Sequence, residues 1–96
     1  EVFAEQATVL KRERQRLMIA LRGMPGVTVF PSEANMILVR VPDSKRAFEG
    51  LKQRKVLVKH IAGLHPLLAN CLRITVGTAT ENTRMIEALH ASLTQD

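Results

Sequence analysis

The residues of this chain best suited to chemistry are two cations on short strands. Arg73 stands in the stretch Asn70-Cys71-Leu72-Arg73-Ile74-Thr75-Val76-Gly77-Thr78. There Leu72, Ile74 and Val76 alternate with Cys71, Arg73 and Thr75, and a side-chain period of two separates an apolar face from a functional one. Lys59 follows Val56-Leu57-Val58, a second strand-forming run. Arginine presents a planar fork that takes a carboxylate or phosphate two bonds at a time, and a strand holds that fork more rigidly than a loop does. Spacing alone leaves two readings open: recognition of an anion by Arg73 with help from Lys59, or pairing of Arg73 with an acidic neighbour on the sheet surface.

Other chemistries find little support. His60, His65 and His90 share no helical face and have no acidic ligands at metal-binding spacing, so each reads as a surface or loop histidine. Nothing resembles a nucleophile elbow, and no glycine pattern suited to cradling phosphate is present. Lys45 sits in the first turn of a polar-faced helix, where a hydrated amine makes a poor covalent catalyst. Cys71 is the single cysteine and lies in a predicted strand, where it acts as a small buried apolar group.

The elements that must position the two cations follow from periodicity. Residues 1 to 22 read as one long helix, with Phe3, Ala7, Leu10, Leu17 and Leu21 recurring at threes and fours and Arg14 interrupting. Glu1-Val2-Phe3-Ala4 carries no capping residue and no initiating methionine, and the expectation is a fragment that starts inside or just after a helix. Gly23-Met24-Pro25-Gly26 ends that helix, Val27 to Phe30 alternates as a strand, and Pro31-Ser32-Glu33-Ala34 breaks it. Asn35 to Val41 is the strongest strand, and its unbroken Met36-Ile37-Leu38-Val39 predicts burial on both faces and a central place in the sheet. Asp43 caps a second helix whose inward stripe is Ala47, Phe48 and Leu51 and which runs out near Lys55. Val56 to Val58 makes a third strand ending at Lys59-His60, and strand, helix and strand in this order predict a crossover. Residues 61 to 70 read as a loop whose Leu64, Leu67 and Leu68 should cover a sheet end or a neighbouring domain. After the Arg73 strand, Gly77 makes a strand-to-helix turn. Thr78 and Glu81 then form a capping box before a helix carried by Asn82, Met85, Ile86, Leu89 and Leu93.

With 96 residues the chain holds one core and one domain, residues 1 to 96. No apolar run approaches the roughly 20 residues of a membrane span, and the expectation is a cytoplasmic protein with no membrane partner. The formal net charge of +5 comes from 14 Lys and Arg against 9 Asp and Glu, and five of those cations lie between Lys11 and Arg22. Solvated helix faces account for that excess, and without tryptophan or tyrosine there is little to stack nucleic-acid bases on.

The order of several motifs extends this reading. Pro31-Ser32-Glu33-Ala34-Asn35 leads into Met36-Ile37-Leu38-Val39-Arg40. Then come Val56-Leu57-Val58-Lys59 and His65-Pro66-Leu67-Leu68-Ala69-Asn70-Cys71-Leu72-Arg73. From about residue 24 to the end this resembles fold-type I pyridoxal-phosphate aminotransferases, specifically the histidinol-phosphate aminotransferases. The resemblance implies an α/β (α+β) fold, a small mixed sheet of about four strands with three helices packed against it, forming the carboxy-terminal small domain of such an enzyme. It implies that Arg73 binds the anionic group of the substrate, glutamate or histidinol phosphate. Lys59 falls where many members carry a phosphate-holding arginine, and Asn35 has a positioning role at the active-site entrance. The pyridoxal 5'-phosphate cofactor would belong to the large domain of the same chain, in a homodimer serving histidine biosynthesis, so these residues alone carry no catalytic group. An RNA-binding α/β module and a regulatory amino-acid-binding module are the alternatives from other functional classes, the former requiring sheet aromatics that Cys71, Arg73 and Thr75 do not supply.

Overall fold

The computed structural model describes residues 2–31 and 35–94, with side chains from Thr8 onward. In chain order the elements are α1 (Val2–Arg22), β1 (Thr28–Val29), β2 (Met36–Arg40), α2 (Ser44–Gln53), β3 (Lys59–His60), β4 (Cys71–Thr75) and α3 (Ala79–Thr94), with one 3₁₀ turn over Pro66–Leu68. The four strands form a sheet in the order β1-β2-β4-β3. All three neighbouring pairs are antiparallel, where a mixed sheet was expected. The parallel relation implied by strand, helix and strand is present between β2 and β3, but β4 inserts between them and pairs with both.

One face of the sheet carries the core. Ile37 and Val39 of β2 lie opposite Ile74 and Leu72 of β4, and all four are buried with Leu17 and Leu21 of α1, Ala47 and Leu51 of α2, and Met85 and Leu89 of α3. The other face is open. Met36 is 42% exposed and Leu38 half-buried, so the predicted burial of β2 on both faces holds on one face only. Among the described residues the second is met only at its Arg40 end, by Phe30 and the 61–70 loop. The N-terminal half of α1 likewise runs past the core: Leu10, expected in its inward stripe, is exposed, while Phe3 and Ala7 lie outside the described side chains. The predicted break at Ser32-Glu33-Ala34 also falls outside the described residues.

Local rules account for the helix ends. Asp43 accepts from the Arg46 N–H at 3.2 Å, and Asn70 Oδ1 accepts from the Ser44 N–H at 3.1 Å, so two of the free amides of α2 are satisfied. At its far end the Lys55 N–H donates to the Lys52 carbonyl at 3.0 Å and the Val56 N–H to the Leu51 carbonyl at 2.9 Å. This is a Schellman closure with a lysine at φ 63 in the place glycine usually takes. Because that closure docks Val56 onto the helix, the predicted strand over Val56–Val58 does not join the ladder, and β3 begins only at Lys59. Pro66 was expected to interrupt any helix. It instead opens the 3₁₀ turn, since a first helical position needs no N–H, with His65 Nδ1 accepting from the Leu67 N–H at 3.0 Å.

The turn from β4 into α3 is built around Asn82, which is 2% exposed. Its amide brackets Gly77, accepting from the Gly77 N–H at 2.8 Å and donating to the Gly77 carbonyl at 3.0 Å. The same Nδ2 donates to Glu13 Oε1 of α1 at 3.0 Å. Arg16 completes the cluster, donating to Glu13 at 2.7 Å, to the Ala79 carbonyl at 3.0 Å and to Thr83 Oγ1 at 3.1 Å. Beside it the predicted capping box is formed: Thr78 N–H to Glu81 Oε1 at 2.8 Å, and Glu81 N–H to Thr78 Oγ1 at 3.2 Å. A Cβ on Gly77 would stand 2.5 Å from that Glu81 oxygen, so only glycine fits the turn without opening the box.

Hydrogen bonds from Arg16 and then Asn82 hold the Glu13 carboxyl below its ordinary value, and the Thr78 N–H does the same for Glu81. A lowered folded value means that the unfolded chain binds more protons on acidification, so this stability is complete above the ordinary glutamate value and lost as pH falls through the folded one. Thermal unfolding should therefore show a melting temperature that drops as pH is taken below about 4.5, with a shallower drop in Glu13→Gln. Asn82→Ala leaves both Gly77 backbone groups and one Glu13 oxygen without this partner. It should cost roughly 2–4 kcal/mol in urea unfolding, whereas Thr78→Ala should cost about 1 kcal/mol.

Candidate functional site

The register of the sheet brings the two predicted cations together. Leu38 of β2, Arg73 of β4 and Lys59 of β3 lie directly opposite one another in a single row. Directly opposite residues share a face, and this row is on the open face, away from the helices. Like charges placed so on adjacent strands destabilise a sheet unless something negative neutralises them. Nothing does so among the described residues. Arg73 is half-buried and Lys59 exposed, and neither side chain has a hydrogen bond or ion pair with any described residue. The acidic side chains nearest to other cations are occupied elsewhere, Glu13 with Arg16 and Asp43 with the start of α2. Pairing of Arg73 with an acidic sheet neighbour, the second reading that spacing left open, is not realised among these residues.

Asn35 is not part of that row. It is exposed at the start of β2, where its carbonyl accepts from the Val76 N–H at 2.7 Å. The register thus sets it three residues along β2 from Leu38, on the order of 10 Å at about 3.3 Å per residue. This places Asn35 just before β2, in phase with Ile37 and Val39 of the helix face, while Arg73 and Lys59 occupy the open face.

Two residues the sequence reading left without a role shape the surroundings. Arg40 lies opposite Cys71 on the open face. It donates from Nε to the Ala69 carbonyl at 3.0 Å and from Nη2 to the Leu67 carbonyl, with its guanidinium 5.4 Å from the Phe30 ring centroid. Those carbonyls belong to the 3₁₀ turn and its end, the Ala69 carbonyl accepting from the Cys71 thiol as well, so Arg40 is committed to holding the 61–70 loop over Cys71, which is fully buried. A strand arginine ending an apolar run was visible in the sequence; its partners, 27 and 29 residues away, were not. His60 sits on the helix side, stacked on Phe48 at 5.2 Å with Nε2 2.9 Å from Ser44 Oγ. It braces β3 against α2 and takes no part in the open face.

Among the described residues of the open face the one aromatic ring is Phe30, whose N–H donates to the Leu38 carbonyl and whose ring is engaged by Arg40 at 5.4 Å. Among the described residues no group of three or more His, Cys, Asp or Glu could hold a metal ion, and no helix is long and apolar enough to cross a membrane. What the face offers is a rigid, uncompensated pair of cations framed by apolar side chains, suited to an organic anion.

Comparison with known proteins agrees in kind. The chain is 68% identical over 91 residues to a histidinol-phosphate aminotransferase from Methylibium petroleiphilum, covering 95% of this chain and 24% of that protein. It thus spans about a quarter of the length of the curated relatives it matches. Among solved structures it superposes with a TM-score of 0.83 on the histidinol-phosphate aminotransferase from Clostridium acetobutylicum, at 21% identity over 92% of this chain and 27% of that one. It also superposes with a TM-score of 0.78 on a decarboxylase from Sulfurospirillum multivorans, at 28% identity over 85% of this chain and 24% of that one. Residues 2–89 match the family Aminotransferase class I and II, and the chain belongs to that family.

Proposed function

We propose that this chain is the anion-binding small domain of a histidinol-phosphate aminotransferase, an enzyme that moves an amino group between glutamate and imidazole acetol phosphate in histidine biosynthesis. The observation that carries the reading is the Lys59–Arg73 row, two cations opposite one another with no protein counter-charge among the described residues. Such an arrangement is costly without a ligand and favourable with one, because each charge is relieved by the same anion.

The roles divide by chemistry. Arg73 supplies a two-bond fork for the carboxylate or phosphate and so fixes the orientation of the substrate, whereas Lys59 adds a point charge. Asn35, just before β2, positions the substrate body. None of the three exchanges protons with the reacting carbon; their contribution is orientation. Among the described residues nothing offers a fitting site for the pyridoxal-phosphate cofactor of this class. Every described lysine is exposed, whereas a cofactor-bearing lysine must be desolvated to react, and Asp43 is spent capping α2. The cofactor and its chemistry are therefore assigned to the large domain of the same polypeptide, against which the open face would lie, in a cytoplasmic homodimer.

In the full-length enzyme, Arg73→Ala should lower kcat/KM for the anionic substrate by roughly 30- to 1,000-fold, corresponding to about 2–4 kcal/mol for a charge-assisted pair. Lys59→Ala should cost less, and the double variant less than the product of the two, since both cations serve one anion. Steady-state kinetics on the four proteins checks this; an unchanged kcat/KM in Arg73→Ala refutes the assignment.

A further inference from the structure

The ladder between β3 and β4 stops one rung short of where both segments can continue. Lys59 is opposite Arg73 and His60 opposite Leu72, and the Ile61 N–H donates to the Cys71 carbonyl at 3.4 Å. Hydrogen-bonded and non-bonded pairs alternate along an antiparallel ladder. Ile61–Cys71 and Lys59–Arg73 are thus bonded rungs, and the next bonded rung in this register is Leu57–Thr75. No backbone hydrogen bond joins those two residues. A groove of about 260 Å³ opens there instead, with Val56, Leu57 and Val58 along one side, Ile74 and Thr75 along the other, and α3 beneath.

In all but pairing, the 56–58 segment has the character of a strand. Val56 and Val58 are half-buried and packed on the core, whereas Leu57 is 80% exposed, a period of two that runs on in phase into Lys59. Val-Leu-Val also has the composition that pleated, half-buried surfaces favour. Lys55, in its left-handed conformation, stands immediately before the segment as a pivot. On the other side of the groove the N–H and C=O of Thr75 point away from β2, because the β2 ladder bonds its neighbours: Val76 donates to the Asn35 carbonyl and Val41 to the Asn70 carbonyl. Two matching edges therefore face each other across a gap lined by Val56, Val58, Ile74 and Met85 together with the polar Glu81, Asn82 and Arg84.

We propose that residues 56–58 are a strap that closes on the free edge of β4 through a Leu57–Thr75 rung, bringing Leu57 into the open face as an apolar wall of the anion site. Closure exchanges two peptide–water contacts for two peptide–peptide bonds and moves Val56 and Val58 toward Ile74 and Met85. It sets a row of Met36, Thr75 and Leu57 beside the row of Leu38, Arg73 and Lys59. An apolar row flanking two cations suits an anion borne on a carbon skeleton better than a free inorganic one. The wall, unlike the strap, rests on the reading of Arg73 and Lys59 given above.

The test is amide hydrogen exchange on the full-length enzyme without ligand, comparing the unchanged protein with Leu57→Pro. That substitution removes only an N–H that is unbonded when the strap is open. The Thr75 amide should exchange at least about tenfold more slowly in the unchanged protein. A Leu57→Cys/Thr75→Cys pair should oxidise to a cross-link in the folded protein, since opposite residues of a bonded rung lie about 5.5 Å apart. Equal exchange rates together with a pair that stays reduced would overturn the strap. For the wall, Leu57→Ser should raise KM for the phosphorylated substrate by roughly tenfold with kcat unchanged, and an unaltered KM would overturn that half. The exchange and cross-linking readouts need no ligand, so they can fail while Arg73 keeps its role, and the reverse.

Discussion

β4 is held at both ends by an asparagine, and the geometry of everything on the sheet follows from that constraint. At its start Asn70 adopts a left-handed conformation, φ 59, with its carbonyl bonded to the Val41 N–H and its side chain to the first amide of α2. At its end Asn82 brackets both backbone groups of Gly77 and ties them to Glu13 of α1. Between these anchors the strand pairs on both sides, so Arg73 is fixed by two ladders and two terminal clamps. A long, flexible side chain loses less freedom on binding when its backbone is already this well determined. In the proposed reading the sheet sets the Arg73 backbone in place and leaves only its fork to be ordered by a ligand.

The same arrangement explains why the face can carry uncompensated charge. The core side is closed by interlocking aliphatic residues from both central strands and all three helices, and the two polar clusters at the strand ends are internally satisfied, with no buried side-chain nitrogen or oxygen lacking a partner among the described residues. Stability comes from the helix side, where the core lies. This fold is shared with an aminotransferase and a decarboxylase of known structure, and a common fold does not by itself fix the reaction.

How much was legible in the sequence depended on the range of the interaction. The capping box at Thr78 and Glu81 and the Asp43 cap join residues three apart, and the spacing alone identified them. The Arg73 strand and its two faces were readable from alternation. Glu13 escaped notice because its partner Asn82 is 69 residues away and a lone acid among arginines looks like solvated surface. Arg40 escaped for the same reason. Strand order was beyond reach too: β4, last in the chain, inserts between β2 and β3, which turns an expected mixed sheet into an antiparallel one. The apolar run of β2 correctly announced a central strand, but among the described residues its second face is met only at its Arg40 end, and composition does not say which body covers the rest. The sequence suggested that Lys59 assists Arg73, but that the two lie directly opposite one another emerged only from register.

The account turns on an external anion satisfying the Lys59–Arg73 row. A crystal structure of the full-length enzyme with histidinol phosphate bound tests this most directly. The account predicts the Arg73 guanidinium in a two-bond contact with a substrate oxygen pair at about 2.7–2.9 Å, with Lys59 on the same group. An Arg73 guanidinium bonded instead to a carboxylate of its own protein, with the substrate anion held by other residues, would contradict it.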